Sequence, residues 1–209
     1  MHLSCNNLTL IRNQDTIIFQ SLSQKFFSKR ITHLTGHNGS GKTSLMRCIA
    51  GYIPPYAGQI QINNMPYDLF APMGYFGHRN GIKESLTVAE NFTFCQKLFS
   101  HHKTHSFYQH DDLKHIFSLT DLWDMPCHYL SYGQKRRTAL ACFFLQTHHV
   151  YLLDEPINGL DKNTANMVFD FLQKLSEYTI IIMTSHTDIR LDNTDVFAMP
   201  SQPVISGRA

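Results

Sequence analysis

Gly36, His37, Asn38, Gly39, Ser40, Gly41, Lys42 and Thr43 follow one another in the pattern G-x-x-x-x-G-K-[ST]. Each residue type has a task that the spacing makes possible. Glycines let the backbone curl so that successive N–H groups converge on one anion, and a helix beginning there adds partial positive charge. Lys42 supplies a point charge for the outer phosphates of a nucleotide, and the Thr43 hydroxyl supplies a ligand for Mg²⁺. Ser44, in the first turn behind them, is counted with the phosphate site. The pattern needs a strand before it and a helix after it. Residues 31–34 read as a short buried strand and residues 44–50 as a helix.

A second group lies far along the chain. The apolar run Val150-Tyr151-Leu152-Leu153 ends in Asp154-Glu155, an acidic pair at the carboxyl end of a buried strand. Asp154 is expected to hold Mg²⁺ through water. Glu155 is expected to polarise the attacking water as a general base. Between the two groups lies Leu130-Ser131-Tyr132-Gly133-Gln134-Lys135-Arg136-Arg137. Ser131 is a good N-cap, and Gly133 leaves its N–H open in the first helical turn, which makes a second anion-binding helix terminus. Asn158-Gly159-Leu160-Asp161 follows the acidic pair. Thr184-Ser185-His186 ends a further apolar strand, where His186 is within reach of a terminal phosphate.

The elements that must position these residues are legible in outline. Residues 8–11 and 16–19 are β-like runs joined by the polar Arg12-Asn13-Gln14-Asp15, with residues 21–27 a further strand and residues 58–64 another β-like stretch. They predict an antiparallel layer beside the phosphate-binding core. Residues 87–99 carry apolar side chains at i, i+4, i+7 and i+11, and residues 111–119 repeat this behind Asp111 and Asp112, which suit a helix N-terminus. With residues 131–146 they make a helical insert spanning about 84–146. Residues 164–176 form an amphipathic helix and residues 179–183 a second buried strand. The expected class is an α/β P-loop NTPase fold, a single domain over residues 1–209 with an antiparallel β subdomain and a helical subdomain.

A chain of 209 residues is long enough to bury a sizeable core. Its net charge of +2 argues neither for nor against a nucleic-acid partner. No apolar run approaches the roughly 18 residues needed to cross a bilayer, and the N-terminal residues lack the basic-then-apolar order of a signal peptide. Five scattered cysteines without a C-x-x-C predict buried free thiols in a reducing compartment, the cytoplasm. His101, His102 and His105, followed by His110 and His115, invite a metal-site reading. The stretch around them has no apolar period, however, and reads as an exposed loop.

GHNGSGKT, LSYGQ, LLDEP, NGLD and SH occur in the order and close to the spacing of the ATP-binding cassette (ABC) ATPases, and the chain resembles that family over nearly its whole length. The resemblance implies an ATPase with Mg²⁺ as cofactor. Two copies would bind two ATP head to tail, each nucleotide held between the P-loop of one copy and LSYGQ of the other. Ser131 and Gly133, with Gln134 beside them, would then contact the γ-phosphate of the partner's ATP, and Asp161 would connect the two sites.

Three departures stand out. Tyr132 replaces the first glycine of the family's Gly-Gly, and is expected to point away from the phosphate. His78 stands where a glutamine normally couples Mg²⁺ to the membrane subunit, a change that would add pH sensitivity. Arg12 occupies the place of the aromatic residue that stacks on adenine, where a guanidinium can stack instead.

The run Gly74-Tyr75-Phe76-Gly77-His78-Arg79-Asn80-Gly81-Ile82-Lys83-Glu84-Ser85-Leu86-Thr87 resembles one subfamily, the ATP-binding subunit of the haem exporter of cytochrome c maturation. That likeness implies membrane-spanning partner subunits, a position on the cytoplasmic side of the inner membrane, and release of haem or a haem-loaded chaperone. Other readings are an ATPase of another exporter, or an assembly module that binds ATP with little turnover. A soluble cassette acting on DNA or ribosomes would need a tandem cassette, a coiled-coil insert or a basic surface. None is visible, so no nucleic-acid partner is expected.

Overall fold

A computed structural model describes residues 1–12, 16–66, 73–99, 108–185 and 193–200. The elements follow in the order β1 (His2–Arg12), β2 (Thr16–Phe27), β3 (Ile31–Thr35), α1 (Lys42–Ile49), β4 (Ala57–Ile62), β5 (Met65–Pro66), β6 (Met73–Phe76), α2 (Val88–Phe99), α3 (His110–Ile116), α4 (Tyr132–Phe144), β7 (Val150–Leu153), α5 (Lys162–Ser176), β8 (Ile180–Met183) and β9 (Thr194–Ala198). Every residue of β7 and β8 is buried. Their unbroken apolar runs fit only a strand covered on both faces. They lie in a parallel five-stranded sheet of order β6-β7-β8-β3-β9.

The two-residue period of a strand divides this sheet's side chains between two cores. Tyr151, Leu153, Ile181 and Met183 face one core, which is closed by Val168, Phe171, Leu172 and Leu175 of α5 and by apolar residues of α2, α3 and α4. Val150, Leu152, Ile180 and Ile182 face the other, closed by Leu45, Met46, Cys48 and Ile49 of α1 and by the first two strands. Those strands belong to a four-stranded antiparallel sheet of order β2-β1-β4-β5. The expected antiparallel layer beside a P-loop core is therefore present.

Several expected boundaries are corrected. Residues 21–27 are not a separate strand but the second half of β2, and β1 begins at His2 well before residue 8. Bulges explain both errors. Register shifts fall between Cys5 and Leu8 and between Leu8 and Leu10. Asn7 and Ser21 sit at φ 51, so the alternation a strand should show is broken twice. β6 and β9 were not anticipated. The turn residues 13–15 and the histidines at 101, 102 and 105 lie outside the described residues.

Among the described residues, the segment between β6 and β7 carries three α-helices, α2, α3 and α4. Thr87 and Glu90 box the start of α2, the Thr87 hydroxyl accepting from the Glu90 N–H and the Glu90 carboxylate from the Thr87 N–H. Ser131 and Gln134 do the same for α4. α4 is anchored to the sheet through aromatic contacts, Phe143 on Phe76 at 5.4 Å and Phe144 on Tyr151 at 5.4 Å between ring centroids.

His148, in the turn leading to β7, is buried against Phe143 and Tyr151. Burial, with a smaller contribution from the charge of His149, lowers its pKa to about 4. An unfolded histidine titrates near 6.5, so between these values the unfolded chain binds the extra proton. The His148 contribution is therefore whole above about pH 6.5 and is lost as pH falls toward 4, by about 2 kcal/mol between pH 7 and pH 5. The urea midpoint should fall further from pH 7 to pH 5 in the wild type than in His148→Asn; an equal fall in both would show that His148 takes up its proton as readily in the folded as in the unfolded chain.

Candidate active site

Strands β3, β6, β7 and β8 run parallel, so their carboxyl ends open onto one edge of the sheet, where α/β folds gather their ligands. The loop from β3 to α1 crosses that edge. Gly41 is the N-cap of α1 at φ 97, and a Cβ there would stand 2.9 Å from Ile18 Cγ2, so only glycine lets β2 approach so closely. The Lys42 ammonium donates to the carbonyls of Gly36 at 2.7 Å and His37 at 3.1 Å, bridging the loop it ends. Ser40 is buried inside the loop, and its hydroxyl is without a hydrogen-bond partner among the described residues.

Asp154, immediately after β7 and 2% exposed, collects the neighbouring strand ends. Its Oδ2 accepts from the Thr43 hydroxyl at 2.8 Å and the Tyr75 hydroxyl at 3.1 Å, and its Oδ1 from the Thr184 hydroxyl at 2.9 Å. His78 Nε2 stands 3.7 Å from Oδ2 on the open side. Three hydroxyl donors make a buried carboxylate tolerable without a bonded cation. Glu155 follows at φ 53, in the left-handed region, which costs a non-glycine residue roughly 1 kcal/mol. Its N–H donates to the Thr184 hydroxyl at 2.9 Å, and Asn158 Nδ2 donates to its Oε2 at 3.3 Å.

These groups line one cleft of about 290 Å³. Asn38, Gly39, Gly41, Lys42, Thr43 and Ser44 form one side, Asp154 and Glu155 the other, with His78, Arg12 and Ile18 at its margins. A roomier cavity of about 620 Å³ opens beyond Glu155, lined by Ile157, Gly159, Leu160 and Phe169 among others. It contains no residue of the loop from β3 to α1, and the smaller cleft is the one that gathers Lys42, Thr43, Asp154 and Glu155.

Ser131, Gly133 and Gln134 do not line this cleft. They begin α4 beside the loop after Glu155, where a Cβ on Gly133 would stand 3.0 Å from the Gly159 carbonyl. Tyr132 is 54% exposed, and its ring covers Gly159, where a Cβ would come within 2.4 Å of it. Asp161 caps α5, accepting from the Thr164 N–H at 3.0 Å and hydroxyl at 2.7 Å, bonds that hold its carboxyl below the usual range. His186 lies outside the described residues. Sequence reasoning missed Tyr75, Thr184 and Arg136. Only Thr184 carried a signal, as a hydroxyl at the end of an apolar strand two residues before the expected histidine.

The sequence profile of the ABC transporter family matches residues 19–158. The cytochrome c biogenesis ATP-binding export protein CcmA of Saccharophagus degradans is 35% identical over 189 residues, covering 86% of this chain and 85% of its own. The protein of the same name from Agrobacterium fabrum is 32% identical over 204 residues and 95% of each chain. The chain belongs to the ABC transporter family, in its cytochrome c biogenesis branch. Solved structures agree with the fold of this ABC cassette. A putative ABC transporter ATP-binding protein from Pyrococcus furiosus superposes with a TM-score of 0.80 at 19% identity, over 95% of the cassette and 98% of that chain. A dimeric bacterial ABC transporter cassette gives 0.74 at 19% identity over 88% of each. No helix of the cassette, among the described residues, is long and apolar enough to cross a membrane.

Proposed function

We propose that this cassette hydrolyses ATP for an export complex of cytochrome c biogenesis, and that haem or a haem-loaded chaperone is what the complex releases. ATP hydrolysis coupled to transport comes with the family. The export role rests on the relatives' names, and haem on the resemblance carried by residues 74–87. The observation that carries catalysis is the meeting of Thr43, from the P-loop, with Asp154 at 2.8 Å beside a backbone-held Glu155.

In this reading the N–H groups of residues 36–44 and the Lys42 ammonium hold the phosphates, and Arg12 lies under the base. Glu155 accepts a proton from the attacking water, and His186 touches the γ-phosphate. Mg²⁺ fits the donor set, because a hydroxyl and a carboxylate oxygen are hard ligands and the ion usually takes one or two carboxylates together with substrate phosphates. Bound by Thr43 and Asp154, with His78 close by, it would neutralise charge on the transferred phosphoryl group. Ser131, Gly133 and Gln134 serve the ATP of a second copy arranged head to tail. The separation of these three residues from their own chain's cleft supports that arrangement. Residues 84–146 act as a helical subdomain within a single cassette, facing membrane-spanning subunits on the cytoplasmic side of the inner membrane.

Tagged cassette, expressed in its native cell and purified from detergent-solubilised membranes, should bring membrane-spanning subunits with it and show ATPase activity that added haem raises. Recovery only as a free soluble chain would overturn the membrane role. A complex indifferent to haem would overturn the cargo while leaving the ATPase intact.

A further inference from the structure

Arg136 is a buried cation without a carboxylate in hydrogen-bond contact among the described residues. It sits in the second turn of α4, is 1% exposed, and lies with its guanidinium carbon 4.3 Å from the centre of the Phe76 ring. Removing a guanidinium from water costs several kcal/mol unless every N–H finds an acceptor. Here five N–H groups meet six oxygens, all on two loops. Nη1 donates to the carbonyls of Gly77 at 3.0 Å and His78 at 3.4 Å and to Asn80 Oδ1 at 3.1 Å. Nη2 donates to the carbonyls of Glu155 at 2.8 Å and Asp154 at 3.5 Å, and Nε to that of Pro156 at 3.3 Å.

These carbonyls are where they are because β6 and β7 are parallel neighbours that end side by side. Beyond their last ladder bonds both chains turn, and Arg136 caps the two ends at once. One of its shortest bonds falls on Glu155, whose peptide is left-handed. The Glu155 N–H is taken by Thr184, and its C=O accepts from Arg136 at 2.8 Å and from the Asn158 N–H at 3.2 Å, so both flanking peptide groups are held, Arg136 making the shorter of the two bonds to the carbonyl. A residue at φ 53 persists only when its surroundings over-determine it. Burial lowers the pKa of the guanidinium, and the nearby Tyr132, Glu155 and Asp154 charges oppose that. A side chain of this type stays charged throughout.

We propose that Arg136 is a positioning residue for hydrolysis: it fixes the left-handed Glu155 backbone, and so the direction of the Glu155 carboxylate, and ties it to the His78 segment and to the helix that begins at Ser131. This rests on the reading of Glu155 as general base. The guanidinium does not itself line the phosphate cleft and meets His78, Asp154 and Glu155 there only through their main-chain carbonyls, so ATP binding should depend on it little. A lysine keeps the charge and the apolar stem on Phe76, but its single nitrogen reaches one loop or the other and not both.

The test measures kcat and KM for ATP in the wild-type complex and in Arg136→Met, Arg136→Lys, Glu155→Gln and the double variant Arg136→Met/Glu155→Gln. Arg136→Met should lower kcat about tenfold with KM within about twofold of wild type, the pattern of an interaction that matters only in the transition state. Arg136→Lys should recover part of that loss. In the Glu155→Gln background the Arg136 substitution should cost almost nothing further, because two residues acting through one group are not additive. Unchanged kcat in both Arg136 variants, or a full tenfold loss persisting without Glu155, would overturn the proposal. Should Arg136→Met not fold, Arg136→Lys against its own Glu155→Gln double variant decides in the same way. Full activity of Glu155→Gln alone would sink the general-base reading instead, a result distinct from either.

Discussion

Glu155→Gln should lower kcat for ATP hydrolysis by about 100-fold or more, the scale at which a positioned general base contributes. ATP affinity should stay within about threefold of wild type, since the lost interaction is with the water and not with the nucleotide. The local structure favours a clean result. The backbone of residue 155 is held through its N–H by Thr184 and through its C=O by Arg136 and the Asn158 N–H, bonds that leave the carboxylate itself out. Glutamine keeps an oxygen that can accept from Asn158, which now bonds Oε2 at 3.3 Å. What it cannot do is accept a proton from water. Steady-state phosphate release by the membrane complex, paired with equilibrium binding of ATP, measures both quantities. Equal turnover in variant and wild type would remove Glu155 from the chemistry.

Asp154→Asn should produce a comparably large loss, of about 100-fold in Mg²⁺-dependent turnover, by a different route. Thr43, Tyr75 and Thr184 all donate to this one carboxylate. Asparagine preserves its shape, so the three hydroxyls can rotate to serve one carbonyl oxygen and receive from one amide. Folding should therefore survive with a cost of about 1–3 kcal/mol, the usual penalty for weakening buried hydrogen bonds. The negative charge does not survive, and with it goes the attraction for a hard divalent cation. Binding of ATP without Mg²⁺ should be nearly unchanged, while the enhancement that Mg²⁺ gives to binding and turnover should disappear. A variant that keeps its Mg²⁺ response would show that Asp154 is a structural acceptor only.

The parts of this site that chemistry dictates were legible one residue at a time. A phosphate loop needs its glycines, lysine and hydroxyl at fixed spacing, and an acidic pair after a fully apolar strand has few other meanings. What escaped depends on which strands are neighbours. Tyr75 and Thr184 matter because β6, β7 and β8 lie side by side, bringing hydroxyls from 79 residues before and 30 residues after onto one carboxylate. Arg136 reads as one more polar residue in a basic run, and only the packing of α4 on Phe76 turns it inward. The first two strands were obscured by a local cause. Left-handed residues at Asn7 and Ser21 interrupt the alternation, so two long strands look like several short ones.

The contact of Tyr132 with Gly159 bears on how this sequence can drift. A side chain of any size at position 159 collides with the ring at 132, and the φ of 78 there already disfavours every residue but glycine and, at some cost, asparagine. The two sites are therefore not free to vary independently. A sequence that keeps a large aromatic at 132 is committed to glycine at 159, whereas one with a small residue at 132 has at 159 only the room, and not the backbone freedom, to change.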